Sequence, residues 1–149
     1  MLRLRLSAQV DEQIRAHGTR GYPDEVCGAL LGREAPDSNG EVRSVTALLP
    51  LENSREEDAR HNRFSVKPED VLRAERAARE SGLDLLGWYH THPDHPARPS
   101  EFDREHAWPW YSYVILSVAT RATGDMTSWR LADDRSAYAA ESIEVEKGK

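Results

Sequence analysis

Leu2, Leu4 and Leu6 alternate with Arg3 and Arg5, the period of two that marks a half-buried strand, and Ser7 then stands where a helix N-cap would. Val10 and Ile14, with Asp11 and Glu12 in a first turn and Gly18 at the far end, predict a short amphipathic helix. Residues 25–31, Glu-Val-Cys-Gly-Ala-Leu-Leu, form a short apolar run closed by Gly32, which predicts a buried strand with a bulge or a close approach at Gly28. A turn at residues 36–40 and an apolar stretch over residues 42–51 make these two strands a candidate hairpin. Residues 52–63 are dense in charge and predict a solvated loop, with a brief strand at residues 64–66.

The clearest helix begins at Pro68, with Glu69 and Asp70 in its first turn and an apolar stripe of Val71, Leu72, Ala74, Ala77 and Ala78 ending near Ser81. Residues 83–89 predict a central strand that runs into His90-Thr91-His92, and residues 100–107 a short helix among four prolines. Residues 113–118 and 126–131, the latter after a turn at Gly124, complete the strands, with residues 143–145 as a further edge. The order β-α-β-β-β-α-β-α-β-β predicts an α/β (α+β) fold, a mixed sheet flanked by helices. At 149 residues the chain is expected to be one domain over 1–149.

Composition narrows the function. Hydrophobic residues make up 38% of the chain, enough for a packed core. The 26 acidic against 20 basic residues, without a basic cluster, argue against a nucleic-acid partner. No apolar run approaches membrane-spanning length and the start lacks the pattern of a cleaved leader, so no membrane partner is expected. A lone cysteine, Cys27, fits a reducing compartment, and the expected location is cytoplasmic.

His90 and His92 lie two apart at a strand end, so their side chains leave one face about 6.6 Å apart along the chain. Asp103, opening the next helix after the proline-rich loop, is the candidate third ligand. Two histidines and one aspartate leave a tetrahedral zinc ion an open position, which suits a hydrolytic site. Each residue also has a plainer reading. The histidine pair is equally a surface or core feature, Ser100 with Asp103 equally a capping box, and Glu25 equally a solvated acid. Cys27 shares the face of Glu25 in an extended strand and is expected to be a small buried residue, Trp88, Trp108 and Trp110 are expected to pack the core, and His95 and His106 to stay off the metal.

Residues 90–103 read His-Thr-His, seven residues, Ser, two residues, Asp, and this resembles the signature of the JAMM (MPN+, JAB domain) zinc metallopeptidases, in their small bacterial and archaeal form. The run Pro23-Asp-Glu25-Val-Cys-Gly28-Ala-Leu-Leu-Gly32 is similar to the upstream glutamate segment of that family. The resemblance spans nearly the whole chain. It implies that His90, His92 and Asp103 hold Zn²⁺, that Glu25 is the general base for the attacking water, and that Ser100 helps hold the oxyanion. It also implies a mixed, curled β-sheet flanked by helices, the MPN/JAB, cytidine deaminase-like architecture.

The family cleaves peptide or isopeptide bonds after the C-terminal diglycine of ubiquitin-like proteins, and its small members process sulfur-carrier proteins or their amino-acid adducts. The expected partner is therefore a ubiquitin-like sulfur carrier, whose narrow tail is expected to lie as an added strand along a sheet edge, walled by residues 52–67. Two other readings stand beside it: a non-catalytic MPN-type scaffold, and a zinc hydrolase of small peptide or amino-acid conjugates. The oligomeric state, including a homodimer, stays open.

Overall fold

The computed structural model describes residues 2–51 and 66–147. The elements run β1 (Arg3–Leu6), α1 (Ala8–Gly21), β2 (Cys27–Asp37), β3 (Gly40–Leu51), α2 (Pro68–Glu80), β4 (Asp84–Pro93), α3 (Glu101–His106), β5 (Ser112–Ala119), β6 (Ala122–Leu131) and β7 (Tyr138–Val145). The expected loop at residues 52–63 lies outside the described residues, as does most of the strand expected at 64–66; Val66 itself is in no strand.

The α/β fold is as expected, but the sheet does not stop at a curl. It closes into a barrel in the order β1-β3-β2-β4-β5-β6-β7, with β1 lying parallel to both β3 and β7. The segment expected as an edge at residues 143–145 is thus part of an eight-residue strand paired on both sides, with β6 and with β1. Closure removes most free edges. One stretch escapes: β1 covers β3 only at Arg43, Ser44 and Val45, so among the described residues β3 beyond Ala47 is paired with β2 alone.

Alternation sorts the side chains to two faces. Cys27, Ala29, Leu31 and Trp88 pack with Ala74 and Ala78 of α2, whereas Leu30, Tyr89, Val114 and Leu116 pack with Val10 and Ile14 of α1. Ser7 caps α1, its Oγ accepting from the Val10 N–H at 3.1 Å. Gly18 lets that helix approach the sheet, since a Cβ there would sit 3.1 Å from the methyl groups of Thr91 and Val118. The close approach expected at Gly28 is real and comes from a ring: a Cβ would stand 2.3 Å from Tyr89. The irregularities of register lie further along, between Leu30 and Gly32. Trp88 is buried as expected, but Trp108 and Trp110 are 62% and 49% exposed, turned outward where Pro109 and a left-handed Trp110 (φ 82°) carry the chain into β5.

Candidate active site

Strand β4 carries both histidines to its C-terminal end. His90 and His92 leave the face that Trp88 occupies one step earlier, and the chain then reverses through Pro93 and Asp94, which adopts φ 59°. The loop after it is pinned from several sides. The Asp94 N–H donates to the Val118 carbonyl at 2.7 Å, and the Tyr22 hydroxyl donates to the Asp94 carboxylate at 2.8 Å. Ser117 Oγ donates to the His95 carbonyl at 2.7 Å and Thr127 Oγ1 to the Ala97 carbonyl at 2.6 Å.

These anchors return the chain to α3 with Asp103 over the strand end. Ser100 and Asp103 form a reciprocal capping box: the Asp103 N–H donates to Ser100 Oγ at 3.0 Å, and the Ser100 N–H donates to Asp103 Oδ2 at 2.8 Å. The plain reading of this pair therefore holds, and it is also what aims the carboxylate. Asp103 Oδ2 lies 3.2 Å from His92 Nε2, Oδ1 lies 3.4 Å from His90 Nε2, and the two Nε2 atoms are 3.2 Å apart. One ligand atom from each of these three residues falls within 4.8 Å of the others, the cluster among the described residues suited to hold a metal ion. Neither His95 nor His106 belongs to it, and His106 Nδ1 meets the Phe102 carbonyl at 2.9 Å.

The donor set fits a divalent zinc-like ion. His92 Nδ1 lies 2.9 Å from the Pro96 carbonyl, so the ring donates there and keeps the Nε2 lone pair for the cluster. Burial pushes the His90 imidazole below its ordinary value in spite of Asp103, which favours the neutral ring that a metal needs. On His92 burial acts in the same sense but is outweighed by the hydrogen bonds to Asp103 and the Pro96 carbonyl, and the ring is raised. Asp103 is also buried, yet the charge and hydrogen bonds of His90, the His92 bond and the Ser100 N–H hold its carboxyl well below the usual range.

Glu25 comes from the other side. The Val26 N–H donates to Thr91 Oγ1 at 2.9 Å and the Thr91 N–H to the Val26 carbonyl at 3.0 Å, extending the ladder in which Cys27 faces His90. That register sets Glu25 opposite His92, and its carboxyl group is buried. Two cavities flank the cluster. One is walled by Trp88, Tyr113 and Tyr138 beside His90 and Asp103; the other, about 300 Å³, is lined by Glu25, His92, His95, Pro96, Arg98 and Ser100. Cys27 lies in the core instead, where burial, then Asp70 and Glu25, pushes its thiol up to about 12.

Sequence reasoning placed the ligand set but missed the supports: Tyr22, Ser117 and Thr127 lie on three other elements, and no spacing in the chain links them to residues 93–97.

A closed α/β barrel that gathers two imidazoles and a carboxylate at one strand end, with a buried glutamate facing them, defines a hydrolase of the metallopeptidase type. The chain belongs to the prokaryotic JAB domain family, whose model (prokaryotic homologs of the JAB domain) matches residues 7–132. It is 36% identical over 126 residues to a desampylase of Haloferax volcanii, covering 81% of this chain and 85% of that one. It is 29% identical to a CysO-cysteine peptidase of Mycobacterium tuberculosis, over 79% of this chain and 75% of the other. A solution structure of a protein of Desulfitobacterium hafniense superimposes with a TM-score of 0.80 at 31% identity, over 97% of this chain and 94% of that one.

Proposed function

We propose that this chain is a zinc-dependent peptidase that hydrolyses the bond after the C-terminal diglycine of a ubiquitin-like protein of the sulfur-carrier type, working as a single domain in the cytoplasm. The observation that carries the reading is the buried carboxyl of Glu25 set across the ladder from His92, beside a His-His-Asp cluster. The names of its relatives support the substrate class: one is a desampylase, another a CysO-cysteine peptidase. Among the described residues no helix is long and apolar enough to cross a membrane.

His90, His92 and Asp103 would hold the ion. Bound zinc supplies Lewis acidity and lowers the pKa of a coordinated water to about 7. Glu25 takes the proton of the attacking water and hands it to the departing nitrogen, the two transfers that an amide requires. Ser100 Oγ accepts from the Asp103 N–H and still has its own proton to give, so capping and oxyanion stabilisation are compatible in one hydroxyl. The tail of the carrier must be narrow to reach the site, and the singly paired stretch of β3 offers backbone groups for it.

Metal analysis of the purified protein should find about one zinc per chain, and the protein should release the group attached to a carrier ending in Gly-Gly. Replacing the penultimate glycine of the carrier by valine should stop release while the carrier stays folded. Equal release from both tails would favour the small-conjugate hydrolase, and a chain that takes up no zinc would be a scaffold.

A further inference from the structure

The proposed mechanism says that a nitrogen leaves beside Glu25, and the cavity on that side has a chemical character of its own. Its walls are Glu25, His92, His95, Pro96, Arg98 and Ser100. Glu25 must return a proton to the departing amine, so the amine and what is attached to it occupy this cavity rather than the aromatic one beside His90 and Asp103. Arg98 is its fixed positive charge. The backbone N–H of Arg98 donates to the Pro96 carbonyl at 2.9 Å, which tightens the turn that presents the residue, and its guanidinium has no hydrogen bond or ion pair among the described residues.

The neighbouring carboxylates are already engaged. Asp94 receives the Tyr22 hydroxyl, Glu101 pairs with Arg104, and Asp103 faces the two histidines. A guanidinium left over on the wall of a catalytic cavity, in a chain with net charge −6, is a recognition element for an anion. In an α-amino acid the carboxylate carbon is two bonds from the nitrogen, so a scissile nitrogen next to Glu25 brings its carboxylate within a few ångströms. In an ε-linked lysine the corresponding atoms are methylenes and carry no charge.

We propose that Arg98 forms a carboxylate subsite for the leaving group, and that the preferred substrate is a carrier whose diglycine is joined to the α-nitrogen of a single amino acid with a free carboxyl. This rests on the function proposed above and names its leaving group. In the step itself the Gly–N bond breaks, the oxygen of water joins the glycyl carbon, and the amino acid departs with the proton returned by Glu25 and its carboxylate still on Arg98.

Three carriers test it: Gly-Gly joined to alanine, to alaninamide, and to the ε-nitrogen of an Nα-blocked lysine amide, each assayed by mass spectrometry with the zinc-loaded protein. The wild type should cleave the free acid about tenfold faster in kcat/KM than the amide, the scale of one charge-assisted contact open to solvent. Arg98→Gln should bring the acid down to the rate of the amide and leave the amide and the lysine substrate unchanged, while Arg98→Lys should retain part of the preference. A second readout needs no turnover. Glycylglycylalanine added to metal-free protein should shift the Arg98 Nε–H resonance, and glycylglycylalaninamide should leave it in place.

Equal wild-type rates on acid and amide overturn the subsite, as does a loss in Arg98→Gln shared equally by all three substrates or an Arg98 resonance indifferent to the carboxylate. Failure to cleave any of the three overturns the carrier reading, and the subsite with it.

Discussion

Two buried polar clusters sit in this barrel and are built on opposite rules. In the first, Arg43 donates to Glu34 at 2.9 Å and to Ser112 at 2.9 Å, with its guanidinium 4.1 Å from the centre of the Trp110 ring, while Glu141 receives Ser128 and Arg130, each at 2.7 Å. Every donor there meets an acceptor, and the charge is balanced within the protein. In the second, two imidazole nitrogens and a carboxylate turn their lone pairs on one point. Nothing in the fold requires such crowding, and a cation resolves it. A balanced cluster is architecture, whereas a surplus of lone pairs is an invitation to a ligand.

The sharpest way to break the comparison is to delete one member of each cluster. His90→Ala should leave less than about a tenth of the wild-type zinc, because two protein ligands hold the ion poorly, and turnover should disappear with it. Arg43→Met should keep full zinc and kcat yet lose about 2–3 kcal/mol of stability, a fall of roughly 5–10 °C in Tm, since it strands Glu34 and Ser112. Metal analysis and calorimetry on both variants separate the outcomes; a zinc-poor Arg43→Met would erase the distinction between the clusters.

Next in size is Glu25→Gln, which keeps shape and hydrogen-bonding reach but cannot take a proton. Zinc content should stay at the wild-type level while single-turnover cleavage falls about 10²–10⁴-fold. Asp103→Asn should instead lose both zinc and thermal stability, because the same carboxylate is ligand and cap. Zinc loss in Glu25→Gln equal to that in Asp103→Asn would make Glu25 a ligand.

A pH titration sharpens the comparison further. The proton on His92 is favoured above the ordinary value of 6.5, so it competes with metal from there downward: affinity should be steady at alkaline pH and fall by roughly tenfold per unit as pH drops through the raised value. Asp103, whose pKa is lowered on folding, should stay ionised throughout and lose its contribution to stability only as pH falls below the unfolded value near 3.8. Isothermal titration with zinc at several pH values reads the first effect. An affinity constant from pH 8 to pH 6 would show that His92 is no ligand.

The smallest effect expected is from Tyr22→Phe. It removes the hydroxyl that holds Asp94, costing about 1 kcal/mol at most and a few-fold in kcat, with zinc content unchanged.

The local parts of this molecule were legible in its sequence. The helix from Pro68, the cap at Ser7, the strand carrying His90 and His92, and the Ser100–Asp103 box all follow from interactions within a few residues, where spacing carries the information. What was not legible depends on distant partners. Residues 138–142, with Tyr138, Ala140 and Ser142 on one side, lack the apolar alternation of a strand, and become one through pairing with β6 and β1. Trp108 and Trp110 belong by composition to the core, but Pro109 and the left-handed turn at Trp110 send them outward. Arg43 reads as a solvated residue of a hairpin and is almost fully buried, because Glu34 and Ser112 arrive from two other strands to meet it.

The parallel seam between β1 and β7 has a further bearing on how the molecule assembles. It joins segments separated by almost the whole chain, so its contacts carry the largest loop-closure cost, whereas β2, β4 and α3, which bring Glu25, His90 and Asp103 together, are closer in sequence. The seam is therefore the last contact expected to form and the first to open, while the catalytic corner is built within a ring still unclosed. In native-state hydrogen exchange the amides joining β1 to β7 should lose protection before those joining β2 to β4, so that the barrel loosens at its hoop while the chemistry stays assembled.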